Sequence, residues 1–230
     1  EIGKLNMNTF GLRAYYRPTQ FSRLNIEYHT TNEFRRGGNK FDLEPFETDI
    51  TEQTKHVINS GGLTYDLFWK EYKHKLSVYT SAQHVDRNSY YGAQQDLNAY
   101  GKTKDLTFVG GGMYVGNFDK VLFSPATFTA GMEYQHNKMH DIMAGYNRDL
   151  EQKVRIASAF FQNEWKLNDF TLLAGFRLDD HNLIDNLIFS PRVNMLYKPS
   201  DAFQGRLTWS TGFRAPQAYD EDLHITAVGG

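Results

Sequence analysis

The 230-residue chain contains no cysteine. A disulfide framework, a zinc–thiolate centre and a cysteine nucleophile are thereby excluded. Proline is scarce, at 6 residues, and no low-complexity run is present, which argues against a long disordered tract. Long apolar runs are missing as well. A membrane helix needs about 20 predominantly apolar residues, and the best stretch, around 170–176, breaks at Arg177 and Asp179. The opening Glu1-Ile2-Gly3-Lys4 carries no apolar core of a secretory signal. Neither sign of charge dominates, because 25 basic and 27 acidic residues leave a net charge of -2. Without a basic field, no nucleic-acid partner is expected. What the chain has in quantity is rings, 17 Phe, 14 Tyr and 3 Trp, on a polar background of mean hydropathy -0.59.

Alternation of apolar and polar residues reconciles those two facts. Over residues 9–17, Phe10, Leu12, Ala14 and Tyr16 fall on one side and Thr9, Arg13 and Arg17 on the other, a period of two and hence a strand. After Pro18-Thr19-Gln20 the pattern resumes with Leu24, Ile26 and Tyr28 against Arg23, Asn25, Glu27 and His29, which makes a hairpin. It returns in Leu63/Tyr65/Leu67/Trp69, Leu76/Val78/Thr80/Ala82, Phe128/Ala130/Met132/Tyr134, Leu172/Ala174/Phe176/Leu178, Val193/Met195/Tyr197 and Leu207/Trp209/Thr211/Phe213. The opposite faces carry Asp66, Lys75, Glu133, Gln135, Arg177, Arg192 and Arg206. Stretches 103–117 and 152–167 are less regular, the first because of Gly110-Gly111-Gly112. The pattern predicts an all-β antiparallel meander of about ten strands.

Short links at 17–20, 70–74, 117–126, 167–169 and 199–202 alternate with longer ones at 32–55, 92–102, 140–152, 180–188 and from 215 onward. Outer-membrane barrels are built with short turns on one rim and long loops on the other. Inward Arg, Glu and Gln would be costly in a small packed barrel and are tolerated in a wide, wet one. Tyr16, Trp69, Phe118, Trp165, Tyr197 and Phe203 stand near strand ends, where aromatic girdles lie. The alternative is a soluble all-β fold whose rings cap a core.

Four segments narrow the choice. They are Gly175-Phe176-Arg177-Leu178-Asp179, Phe189-Ser190-Pro191-Arg192-Val193, Tyr197-Lys198-Pro199-Ser200, and residues 205–216, which end in Gly212-Phe213-Arg214-Ala215-Pro216 ahead of Asp220-Glu221-Asp222-Leu223. In this order and spacing they resemble the barrel of TonB-dependent outer-membrane receptors. The run Arg35-Arg36-Gly37-Gly38-Asn39-Lys40-Phe41-Asp42-Leu43 resembles loops of such receptors from Bacteroides-type bacteria. The resemblance implies a barrel of about 22 strands in the outer membrane, an amino-terminal plug and a short box that pairs with TonB. Residues 1–230 would then be an internal part of that barrel, with plug and C-terminal strands outside it.

The implied function is uptake of an iron–siderophore, haem or cobalamin, with the TonB complex, outer-membrane lipid and a small-molecule ligand as partners. No cofactor is required, since haem or an iron complex would be cargo. No Gly-x-Ser-x-Gly elbow, His-Glu-x-x-His helix or phosphate loop points to an enzyme. A passive or adhesive outer-membrane barrel and a soluble carbohydrate-binding sheet are the competing readings.

Candidate site residues follow from that frame. His224, nine residues after Ala215, stands where haem receptors of the family place a histidine, and neutral imidazole is a competent axial ligand for haem iron. His136-x-x-Met139-His140-x-x-Met143 groups soft and imidazole ligands on an expected loop, a pattern suited to copper. Arg35 and Arg36 offer charge-assisted hydrogen bonds to an anionic ligand. Arg192, Arg206 and Arg214 form an expected inward row that would meet plug carboxylates. Each has a plainer reading: a solvent-exposed loop histidine, a packing methionine, a solvated turn, a structural arginine.

Overall fold

Pairing follows chain order throughout. The computed structural model describes residues 3–213, in which ten strands form one antiparallel sheet without a crossover. They are β1 (Lys4–Tyr16), β2 (Ser22–Gly38), β3 (Ile50–Trp69), β4 (His74–Ala93), β5 (Tyr100–Val121), β6 (Ser124–Met143), β7 (Arg148–Leu167), β8 (Phe170–His181), β9 (Ile188–Ser200) and β10 (Phe203–Ser210). The expected meander is therefore observed. One rim is closed by short links, such as the two-residue turn at Asn168-Asp169, where Asn168 takes the left-handed conformation (φ 45°) that asparagine tolerates.

The other rim differs from expectation. The connections at 32–55 and 140–152 are mostly strand and that at 92–102 is partly so, leaving only 39–49, 94–99 and 144–147 as links. β5 runs for 22 residues, roughly 70 Å at about 3.3 Å per residue. The reason is visible in β7. Its lower outward positions are Ala157, Ala159, Phe161 and Trp165, whereas the upper ones are Asp149, Glu151, Lys153 and Arg155, with Leu150, Val154 and Ile156 turned to the other face. The alternation inverts its phase while the backbone ladder continues, so a search for one apolar face ends the strand too early.

Register separates the sheet into two faces. The apolar one carries residues 126–134 of β6, 157–165 of β7, 170–178 of β8 and 189–197 of β9 at alternate positions. Nine residues span about 30 Å, which at a tilt near 45° approaches the ≈ 25 Å apolar band of a membrane barrel. Rings link the strands across it: Phe128–Phe161 at 4.9 Å, Phe161–Phe176 at 5.8 Å and Phe176–Phe189 at 5.8 Å. No second layer covers these side chains among the described residues, and Met132 and Leu207 are 71% and 67% exposed. A soluble fold would bury them.

Candidate functional site: the polar face

The opposite face is polar, and three charged knots lie on it. Nearest the short-turn rim, the buried Asp66 of β3 accepts hydrogen bonds from Ser77 Oγ (2.6 Å), Arg23 Nη2 (2.7 Å) and Lys75 Nζ (3.1 Å). Register makes this possible, since Arg23 and Ser77 both stand opposite Asp66 on the neighbouring strands. Partners on both sides offset the cost of taking the carboxylate out of water.

The second knot spans five strands. Tyr79 Oη of β4 donates to Glu133 Oε2 of β6 at 2.7 Å, and Arg177 Nη2 of β8 reaches Glu133 Oε1 at 3.1 Å. Arg177 also donates to Asp179 Oδ1 (2.8 Å) and to Ser158 Oγ (2.7 Å), while Ser158 donates to Asp179 (2.6 Å). Tyr79 reaches Glu133 by passing over β5 at Gly111, which is in register with both. A Cβ at Gly111 would lie 2.7 Å from Tyr79 Oη and 2.7 Å from the Met132 carbonyl. The Gly110-Gly111-Gly112 run that interrupts the sequence pattern is thus a passage for a side chain, not a strand break.

The third knot lies above the apolar band. The buried Asp141 of β6 accepts from Arg148 Nε at 2.6 Å, from the Thr103 hydroxyl and from Arg87 Nη2 at 3.5 Å. Beside it His56 of β3 stands 3.5 Å from Glu33. Burial, then the positive charge of Arg87, pushes the His56 imidazole below its usual range against the weaker pull of Glu33.

A cavity of about 520 Å³ opens over the second knot, lined by Tyr79, Glu133, Phe160, Arg177, Arg192 and Thr208 among others. Its chemistry is that of a holding surface, with carboxylate, guanidinium and phenol groups at fixed positions. No group of three or more His, Cys, Asp or Glu suited to a metal ion occurs among the described residues.

The sequence-derived candidates are distributed as follows. Arg192 and Arg206 both face the polar side, opposite Ser210 and Leu196, and neither has an ion-pair partner among the described residues. Arg214 and His224 lie outside the described residues. Arg35 and Arg36 are not on a loop but at the end of β2, so period two sends them to opposite faces. Arg35 pairs with Glu33 at 2.7 Å, and the buried Arg36 donates to the Leu43 carbonyl at 2.6 Å, holding the 39–49 connection. Both still line one cavity of about 390 Å³, with Lys4, Glu52 and Thr54.

The His136, Met139 and His140 cluster is also corrected. All three stand on β6, with His136 and His140 outward beside Arg155 and Glu151 and the buried Met139 on the other face opposite Asp105. They do not converge on a metal. The Tyr79–Glu133–Arg177 knot was not singled out by sequence; Gly111, opposite both Tyr79 and Glu133, was the available signal.

A family model described as TonB dependent receptor-like, beta-barrel, matches residues 3–224. The chain belongs to this family. No curated protein matches it. Among solved structures, the siderophore receptor PirA from Pseudomonas aeruginosa superposes with a TM-score of 0.75 at 16% identity, covering 94% of this chain and 35% of its own. The ferric enterobactin receptor PfeA mutant G324V from the same organism gives 0.74 at 15%, with coverages of 93% and 34%. The outer membrane transporter YddB from Escherichia coli gives 0.66 at 10%, with coverages of 85% and 30%. At such identities the likeness is one of fold. The chain spans about a third of the length of these three solved structures.

Proposed function

We propose that these ten strands form part of the wall of an outer-membrane transporter that takes up a ferric siderophore and is driven by TonB. The observation that carries the reading is the pairing of an apolar band about nine residues tall with a polar face of fixed charges in a sheet of the TonB-dependent receptor family. One neighbour of like fold is named a siderophore receptor and another a ferric enterobactin receptor, which supports iron–siderophore cargo over haem or cobalamin. In lipid an open sheet edge is untenable, so in the transporter β1 and β10 pair with further strands of the wall.

The polar face then lines a lumen that holds a plug. Arg192 and Arg206 present free guanidinium groups to plug carboxylates, and Glu133 and the cavity above it present acceptors to plug donors. Ligand is captured at the rim with the longer connections. Force relayed through TonB breaks these exposed ion pairs, each worth about 1 kcal/mol or less, and the plug yields. No bond of the cargo is made or broken.

The reading is tested by radioiron uptake from a ferric siderophore in cells lacking the gene, complemented with the full-length gene in TonB-positive and TonB-negative backgrounds. Uptake restored only in the TonB-positive cells is expected. Equal uptake in both would favour a passive barrel. The variant His224→Ala is expected to leave siderophore uptake unchanged.

A further inference from the structure

The wall changes height between β7 and β8. β7 pairs with β6 over most of its length, up to Met143 opposite Arg148, but with β8 only from Ile156, opposite His181, downward. Asn182 closes that shorter ladder. Its N–H donates to the Arg155 carbonyl at 3.0 Å, its Oδ1 accepts from the Arg155 N–H at 2.6 Å, and its Nδ2 donates to the Lys153 carbonyl at 2.9 Å. Above this cap the β8 side of β7 is an open strand edge among the described residues. We propose that this edge, residues 149–153, docks an extended strand of another protein, which adds to the sheet beside β7 in the antiparallel sense. Only its placement on the outer side of the membrane rests on the function proposed above.

The main chain presents the edge in a regular row. In an antiparallel ladder a residue turns both its N–H and its C=O to the same neighbour, and successive residues alternate. The bonds at Arg155 fix the odd-numbered residues of β7 as those facing β8. The N–H of Lys153 and both main-chain groups of Glu151 and Asp149 are therefore without a ladder partner among the described residues. An open edge is untenable in lipid. This one stands beyond the outward apolar residues 157–165 of β7, where a strand from a partner can complete it.

Side chains select the strand. Outward, the edge carries Asp149, Glu151, Lys153 and Arg155, two acids followed by two bases, and on the other face Leu150 and Val154. An incoming antiparallel strand is favoured when it sets bases opposite Asp149 and Glu151, acids opposite Lys153 and Arg155, and apolar residues opposite Leu150 and Val154. Local ion pairs leave the acids within reach, since the Asp149 side chain is 74% exposed beside His140 and that of Glu151 48% exposed between Lys138 and Lys153. The run 149–155 read backwards meets this requirement itself: Asp149 falls against Arg155, Leu150 against Val154 and Glu151 against Lys153. A second copy is nevertheless not the occupant. Two barrels upright in one membrane are related by an axis along its normal, which leaves their β7 strands running in the same sense across it. The occupant is a different protein with a free strand of this charge order.

The test uses the full-length protein in detergent micelles and, as probe, a fluorescent peptide of residues 148–156 read by anisotropy. N-methylation of the peptide at its Glu151 and Lys153, whose amides face β7 in the paired strand, is expected to weaken binding roughly tenfold or more. N-methylation at its Leu150 and Val154, whose amides face away, should leave binding unchanged. A peptide with its acids and bases exchanged should also bind roughly tenfold more weakly. In the protein, Glu151→Pro removes one edge N–H without touching the ladder to β6, so it should keep the heat-dependent gel shift of a folded barrel and lose the probe. No binding to the parent, equal binding of the two methylated probes, or unchanged binding to Glu151→Pro would overturn the edge as a docking site. Equal binding of the charge-exchanged peptide would overturn the charge order that defines the partner. Binding on intact cells as well as in detergent is expected. Binding in detergent alone would place this rim inside the outer membrane, overturning the orientation given to the transporter while the edge itself stands.

Discussion

Gly111 is the residue on which the central knot depends. An added methyl there meets the Met132 carbonyl and the Tyr79 hydroxyl at 2.7 Å, and the backbone atom has no way to retreat. Gly111→Ala should destabilise the folded protein by about 1–3 kcal/mol. Its neighbour provides the control, because a Cβ at Gly112 meets nothing nearer than the Ser77 carbonyl at 3.8 Å, and Gly112→Ala should stay within about 0.5 kcal/mol. Urea unfolding of the refolded full-length protein in vesicles reads both. His56 gives a second test, in pH. Its position above the band, half-buried beside Arg87 and Arg35 with Glu33 as counter-charge, keeps its folded pKa below the ordinary 6.5. The unfolded state therefore binds the proton more readily. The contribution of the neutral ring is fully present above pH 6.5 and is lost as pH falls through the lowered folded value. The melting temperature should fall on acidification below pH 6.5 more steeply in the parent than in His56→Asn; parallel curves would contradict the role given to His56.

At the scale of elements, the middle of the connection between β2 and β3 is held by one buried side chain. Arg36 is 7% exposed and donates to the Leu43 carbonyl at 2.6 Å, while Lys40 and Asn39 bind Asp49 from the other end of the loop. These contacts also hold the Asp49 carboxyl below its usual range, through the hydrogen bond from Lys40 first. Arg36→Ala should release residues 39–49, seen as a severalfold faster tryptic cut after Lys40 with the barrel otherwise intact; an unchanged rate would show that the connection is held elsewhere. This element also marks where sequence stops being legible. The lower halves of the strands could be read because Phe10/Leu12/Ala14 and Leu172/Ala174/Phe176 contrast sharply with their neighbours. The upper halves could not, because in residues 148–156 the apolar side chains change faces, so charged outward positions look like loop. Arg35 and Arg36 were paired on a supposed loop for that reason. The second knot was beyond reach for another: Tyr79 and Glu133 lie 54 residues apart and meet only once Gly111 is placed between them.

For the whole molecule, the proposal comes down to which face meets lipid and which meets water. The two faces differ in kind: rings in contact across four strands on one, a chain of ion pairs from Asp66 to Asp141 on the other. If the polar face lines a lumen, the wall supports a plug and TonB-driven transport; if it does not, neither follows. The absence of native cysteine from these 230 residues makes the question directly answerable. Single cysteines would be placed one at a time from Ala157 to Gln162 on β7 of the full-length protein in intact outer membranes, and labelled with a membrane-impermeant, water-soluble maleimide and with a lipophilic one. Positions 158, 160 and 162 are expected to take the soluble reagent, and 157, 159 and 161 the lipophilic one. Labelling without a period of two, or soluble reagent reaching both faces alike, would contradict the membrane wall and the function proposed for it.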